Sequence, residues 1–222
     1  DMGVYKIDAQ GRELYNFQYV DALYDYILSI GMKPFVELGF MPSALASGDK
    51  TIFWWRGNVT PPHSYEKWET LIKKLTEHWT QRYGAEEVSS WYFEVWNEPN
   101  LDGFWAGTQA EYFKLYAHSA RAIKSVNPAY KVGGPATAGA AWIPEMIAYC
   151  KTNNVPLDFV STHAYGVNQG FLDEFGSTGT VLAKDELAVA RDVLKNRQEI
   201  IASTMPNLEL HYTEWSSSYT PA

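Results

Sequence analysis

Two glutamates dominate the chemistry this sequence could perform. Glu98 lies in Trp96-Asn97-Glu98-Pro99 and Glu214 in Tyr212-Thr213-Glu214-Trp215, and each ends a segment rich in β-forming residues. Two carboxyl groups facing one another across a small cavity cannot both ionise easily, because each charge disfavours the other. One proton donor and one base result, which is what cleavage of a glycosidic bond requires. A single Glu at a strand end is more often a surface carboxylate paired with Lys or Arg. With Asn97 adjacent, and His163 and Tyr165 between the two in sequence, the paired reading is the stronger one. Glu37 and Glu94 also fall in strand segments, but earlier within them, and read as members of interior ion pairs. Asp173 and Glu174, in a Gly-flanked loop, read as solvated.

These side chains need elements that bring them to one place. Val20, Leu23, Tyr24, Ile27 and Leu28 recur at three and four residues and predict a helix that stops at Gly31. Trp68, Leu71, Ile72, Leu75 and Trp79 predict a second helix, ending near Gly84. Thr108-Gln109-Ala110-Glu111 has the capping-box pattern and opens a third, closed by Asn127-Pro128. Two more helices are expected over about 142–152 and 185–203. Strands are expected at 33–38, 92–96, 131–134, 158–163 and 208–214, and residues 1–5 read as the tail of an earlier one. A long Gly-, Pro- and Trp-rich loop spans about 40–63. Strands alternating with helices imply parallel pairing with right-handed crossovers. No Gly-x-Gly-x-x-Gly phosphate cradle follows a strand. Asn97 and Glu98, His163 and Tyr165, and Glu214 instead fall at successive C-terminal strand ends, the layout of a site at the top of a TIM barrel.

Composition bounds the remaining possibilities. Of 222 residues, 26 are acidic and 18 are Lys or Arg, a net charge of −8, which argues against a phosphate-binding surface and hence against nucleic-acid partners. At 46% hydrophobic and 20% charged, the chain can build a globular core, and no composition shift divides it. Cys150 is the sole cysteine, so neither an intrachain disulfide nor a thiolate zinc cage is available; its spacing with Ile143 and Ile147 makes it helix core. No apolar run is long enough for a membrane span and no secretory signal opens the sequence, which leaves the compartment open between a bacterial cytoplasm and periplasm.

Three segments carry a family resemblance: Trp96-Asn97-Glu98-Pro99-Asn100-Leu101, Thr162-His163-Ala164-Tyr165 and Tyr212-Thr213-Glu214-Trp215. Together they resemble glycoside hydrolase family 39, and Gly39-Phe40-Met41-Pro42-Ser43, Trp54-Trp55-Arg56-Gly57-Asn58 and Gly133-Gly134-Pro135-Ala136-Thr137 are similar to its bacterial β-xylosidase branch. The resemblance implies a (β/α)₈ barrel and retention of anomeric configuration. It casts Glu98, after the fourth strand, as general acid/base and Glu214, after the seventh, as nucleophile. Asn97 is then expected to bind the sugar 2-hydroxyl, Tyr165 to donate to the nucleophile and keep it ionised, and His163 to contact sugar or orient a carboxylate. Among loop aromatics, Trp54, Trp105 and Trp215 are candidates for packing on sugar rings, with Trp55, Phe104 and Phe171 beside them.

The expected substrate is a xylo-oligosaccharide or aryl xyloside, with no metal or organic cofactor. The alternatives are an α-L-iduronidase on the same scaffold, for which Arg56 could meet the uronate, and a non-catalytic carbohydrate-binding barrel fragment. Only five full strand units are visible against the eight of a closed barrel; by the resemblance the chain begins near the end of the second strand and stops just past the seventh, so residues 1–222 read as a single glycosidase barrel domain truncated at both ends. Such an open barrel is expected to self-associate and to show little catalysis alone.

Overall fold

The computed structural model describes residues 3–169, 181–182 and 185–218. In chain order the elements are β1 (Tyr5–Ile7), β2 (Glu13–Tyr15), α1 (Gln18–Ser29), β3 (Phe35–Leu38), β4 (Thr51–Ile52), β5 (Gly57–Asn58), α2 (Tyr65–Tyr83), α3 (Ala85–Val88), β6 (Tyr92–Val95), α4 (Gln109–Val126), β7 (Lys131–Thr137), α5 (Ile143–Thr152), β8 (Phe159–Tyr165), β9 (Val167–Gln169), β10 (Val181–Leu182), α6 (Ala188–Ile201) and β11 (Glu209–Ser216). β3, β6, β7, β8 and β11 form one five-stranded sheet in which every pairing is parallel. A helix joins each strand to the next.

Two of the helices, α2 and α4, start where side chains satisfy free amides. Ser64 accepts from the Lys67 N–H to open α2, and Thr108 and Glu111 cap one another's backbone to open α4. Their apolar faces then meet: Trp68, Leu71, Ile72, Leu75 and Trp79 of α2 are buried, as are Tyr112, Leu115, Tyr116 and Ile123 of α4. The Trp68 indole N–H donates to Ser119 Oγ at 2.8 Å, so the contact between the two helices carries no orphaned donor there. Cys150 is buried in α5, and burial pushes its thiol up to about 12, which leaves it unreactive at neutral pH.

Four strand spacings of roughly 4.8 Å separate β3 from β11, so a flat sheet would hold them about 19 Å apart. Instead Phe35 of β3 and His211 of β11 lie with ring centroids 5.5 Å apart. The sheet therefore curls into an arc of barrel with its concave face inward. That interior is layered along the strands. Phe35, Tyr92, Phe159 and His211 interlock as an aromatic floor, with Phe35 stacked on Tyr92 at 5.2 Å. Gly133 is required beside it, since a Cβ there would sit 2.3 Å from the Phe159 carbonyl oxygen. Above the floor come Glu37 and Glu94, and above them the residues named for catalysis.

Two local expectations change. The opening segment is no strand of the parallel sheet: β1 pairs antiparallel with β2 around Gly11 (φ +79°), and Asp8 Oδ1 accepts from the Gln10 and Arg12 amides to close the turn. The long loop is partly ordered by the β4–β5 hairpin and by the bridge from Met41 to Asn58.

Candidate active site

β6 ends at Val95, and the next residues turn sharply. Trp96 (φ 71°) and Glu98 (φ 44°) both adopt left-handed backbone, which for side chains other than Gly costs of order 1–3 kcal/mol each. The surroundings hold them there. Trp96 is fully buried, its indole N–H donates to the Phe104 carbonyl at 2.8 Å, and its ring meets Trp105 edge-on at 5.0 Å. The Glu98 N–H donates to the Ala136 carbonyl at 2.9 Å. Ala136, itself left-handed at φ 52°, is the extra residue of a bulge in which β7 passes from Pro135 opposite Ser161 to Thr137 opposite Thr162.

Glu214 approaches from the other side of β8, paired in register with His163. The Tyr165 hydroxyl donates to Glu214 Oε2 at 2.8 Å. His163, 1% exposed, places Nδ1 2.9 Å from Glu98 Oε1 and 3.6 Å from Glu214 Oε2. One donor atom from each of Glu98, His163 and Glu214 lies within 4.8 Å of the other two. Burial opposes charging the His163 ring, but the hydrogen bond to Glu98 and the charges of Glu214 and Glu98 outweigh it and raise its pKa. Burial, and then Glu214, raise that of Tyr165, so its hydroxyl remains a donor at neutral pH. The three clustered atoms could also face a cation, although the bonds that join them to one another and to Tyr165 already satisfy them.

The layer beneath differs from the ion pairs expected for it. Glu37 and Glu94 are directly opposite in the β3–β6 register, and among the described residues neither has a cation within salt-bridge distance. Glu94 is 3% exposed and accepts from Thr213 Oγ1 at 2.9 Å. Burial raises its pKa, tempered by the nearby Ser161 and Thr213 hydroxyls, of which only Thr213 has hydrogen-bond geometry. Glu37 is exposed as a residue and lines the adjoining cavity. Loss of water around its carboxyl group, with the charges of Glu94 and Glu214, pushes it up to about 7. The folded state thus binds this proton more tightly than the unfolded chain, whose reference value is 4.5. The stability it contributes is complete below pH 4.5 and is lost as pH rises through about 7. Glu37→Gln is therefore expected to melt with wild type at pH 4.5 and above it at pH 8, by a margin that solvent around this exposed residue keeps small. Parallel thermal unfolding at the two pH values checks this, and a difference that shrinks toward pH 8 would contradict it.

A cavity of about 940 Å³ opens beside these groups, and its lining includes Asn97, Glu98, Tyr165, Glu214, Trp55 and Arg56. Asn97 is 9% exposed, and its Oδ1 has no hydrogen-bond partner among the described residues. The structure thus brings together Asn97, Glu98, His163, Tyr165 and Glu214. It does not bring the three tryptophans to them. Trp105 is 2% exposed, with its N–H spent on the Thr108 carbonyl, and acts as a support for Trp96. Trp54 is 91% exposed at the tip of the β4–β5 hairpin, and Trp215, next after inward-facing Glu214, is 69% exposed; neither lines the cavity. Phe104 packs against Ile52 and Val59 and also lines the cavity, as does Trp55. Phe171, Asp173 and Glu174 lie outside the described residues. Phe40 and Phe53 line the cavity unpredicted. Their signal was position alone, in the loop that follows β3.

The family model of glycosyl hydrolases family 39 matches residues 1–222. The chain is 48% identical over 222 residues to a β-xylosidase of Caldicellulosiruptor saccharolyticus, covering all of this chain and 44% of that protein. A monomeric β-xylosidase from Caulobacter crescentus superposes with a TM-score of 0.92 at 51% identity, over 99% of this chain and 44% of that one. An α-L-iduronidase of Mus musculus is more distant, 27% identical over 198 residues, 81% of this chain and 28% of that protein. The chain spans less than half the length of each of these relatives. A match to the family model from its first residue to its last, on a curled parallel sheet that gathers two glutamates at its strand ends, places this chain in glycosyl hydrolases family 39.

Proposed function

We propose that the chain carries the catalytic carboxylates of a retaining β-xylosidase, which releases terminal β-D-xylosyl residues from xylo-oligosaccharides by double displacement. One observation carries this reading: oxygens of Glu98 and Glu214 lie within 4.8 Å of one another. Retaining enzymes hold their two carboxyl groups about 5–5.5 Å apart, whereas inverting enzymes leave about 6.5–9.5 Å for a water molecule. The similarity to β-xylosidases supports the sugar.

Glu214, held by Tyr165, attacks the anomeric carbon while Glu98 protonates the departing oxygen. Glu98 then takes a proton from water, which releases the sugar with its configuration kept. His163, with Nδ1 2.9 Å from Glu98 Oε1, holds the acid/base carboxyl group in place beside the leaving oxygen. Asn97 Oδ1, buried without a partner among the described residues, is suited to accept from a sugar hydroxyl, since an unsatisfied buried acceptor gains most when a ligand supplies the bond. The curled five-stranded sheet supports a (β/α)₈ barrel as the whole fold.

The test is a panel of aryl glycosides on the full-length protein, with proton NMR of the first anomer released. Hydrolysis of aryl β-xyloside with β-xylose appearing first is expected. α-Xylose first would remove the retaining mechanism, and preference for an aryl α-L-iduronide would remove the β-xylosidase reading.

A further inference from the structure

We propose that Glu94 is a positioning residue whose bond to Thr213 fixes the bulge that turns Glu214 into the cleft. The inference rests on the reading of Glu214 as nucleophile and concerns what aims it.

Side chains alternate between the two faces of a regular strand. Along β11, His211 faces inward, its ring meeting Phe35, Tyr92 and Phe159. Tyr212 faces outward, its hydroxyl donating to Asn196 of α6. Thr213 faces inward again and reaches Glu94. Strict alternation would then send Glu214 outward among the helices. It does not go there, because the register slips: Tyr212 lies opposite Thr162 and Glu214 opposite His163, which leaves Thr213 as an extra residue. Two successive side chains therefore point inward. A bulge of this kind re-aims a side chain, and one-residue slips are otherwise strongly resisted because they invert a strand's faces.

Something must hold the extra residue, and one group is placed to do so. Thr213 Oγ1 donates across the barrel interior to Glu94 Oε1, from β11 to β6, strands that are not neighbours in the sheet. Glu94 is 3% exposed, has no cationic partner among the described residues, and faces Glu37 in register. A carboxylate buried on those terms is costly, and an apolar residue would cost less unless the oxygen has a task. Nothing in the proposed reaction needs its proton. The bulge at Ala136, across β8 at the same level, is the counterpart that holds Glu98 through its backbone. Each glutamate is thus aimed by a bulge on one flank of β8, and at Thr213 the side-chain bond to Glu94 ties the extra residue to β6.

The test uses the full-length protein. Thr213→Val keeps the volume and removes the donor, Thr213→Ser restores the hydroxyl, Glu94→Gln keeps an acceptor oxygen and Glu94→Leu removes it. A misplacement near 1 Å can cost about 100-fold in rate. Thr213→Val and Glu94→Leu are expected to lower kcat roughly 10- to 100-fold, equally for activated and unactivated aryl xylosides, with KM within about threefold. Thr213→Ser and Glu94→Gln are expected to stay within about fivefold of wild type. Labelling by an activated 2-fluoroxyloside, followed by mass spectrometry, should slow in parallel. If Thr213→Val fails to fold, the Glu94→Gln and Glu94→Leu pair decides. Labelling of Glu214 in Thr213→Val at the wild-type rate would overturn the proposal, as would equal losses in the conservative and disruptive variants. Label landing on another residue in wild type would instead overturn the reading of Glu214 itself.

Discussion

Glu214→Ala is expected to abolish turnover of every xyloside, by about 10⁴-fold or more, whatever the leaving group. Alanine removes the attacking oxygen, and a good leaving group cannot compensate for a missing nucleophile. The bond from Tyr165 to Glu214 is lost, but His163 keeps its 2.9 Å contact with Glu98, so the acid/base remains assembled. The vacated space should admit azide, which would attack the anomeric carbon from the same face in a single displacement. Its product would be the α-xylosyl azide, of inverted configuration. Rates for activated and unactivated aryl xylosides, with and without azide, check this. Residual hydrolysis with retained configuration would place the nucleophile elsewhere, and Glu37 and Glu94 would be the next candidates.

Much of this site was legible in the sequence because its signals are local. Capping residues such as Ser64 and Thr108 and the apolar stripe from Trp68 to Trp79 mark helix starts and faces within one or two turns. Glu98 and Glu214 each end a β-rich segment, and alternation of strands and helices is enough to place such ends together. What escaped was set by tertiary contact. The opposition of Glu37 and Glu94 is a register between strands 57 residues apart in sequence, and it turned expected ion pairs into facing carboxylates. The bulge residues are Ala136 and Thr213, and neither type announces a one-residue slip as Gly would. Trp54 and Trp105 read alike as loop aromatics, yet one is 91% exposed and the other 2%. Whether a loop ring is a support or a surface depends on the helices beneath it, here α4 and its Tyr112.

The complementary expectation is that Glu98→Ala slows substrates with poor leaving groups by about 10²–10⁴-fold while sparing the first step for activated ones. An aryl xyloside whose phenolate leaves without a proton needs only Glu214, so the burst of released phenol should persist. The second step should then stall. Water must lose a proton as it attacks, and with Glu98 gone the groups left beside Glu214 Oε2 are the Tyr165 hydroxyl at 2.8 Å and His163 Nδ1 at 3.6 Å, both on the nucleophile's own carboxylate rather than beside the incoming water. Mass spectrometry should therefore find xylose attached to Glu214 in the steady state. Azide, which needs no deprotonation, should restore turnover by attacking that intermediate, and two successive inversions make its product the β-xylosyl azide. The two variants are thus expected to give azides of opposite configuration from one substrate, an outcome that differences in stability or overall folding cannot imitate. Azides of the same configuration, or equal sensitivity to leaving group in both variants, would show that Glu98 and Glu214 do not divide the work of acid/base and nucleophile.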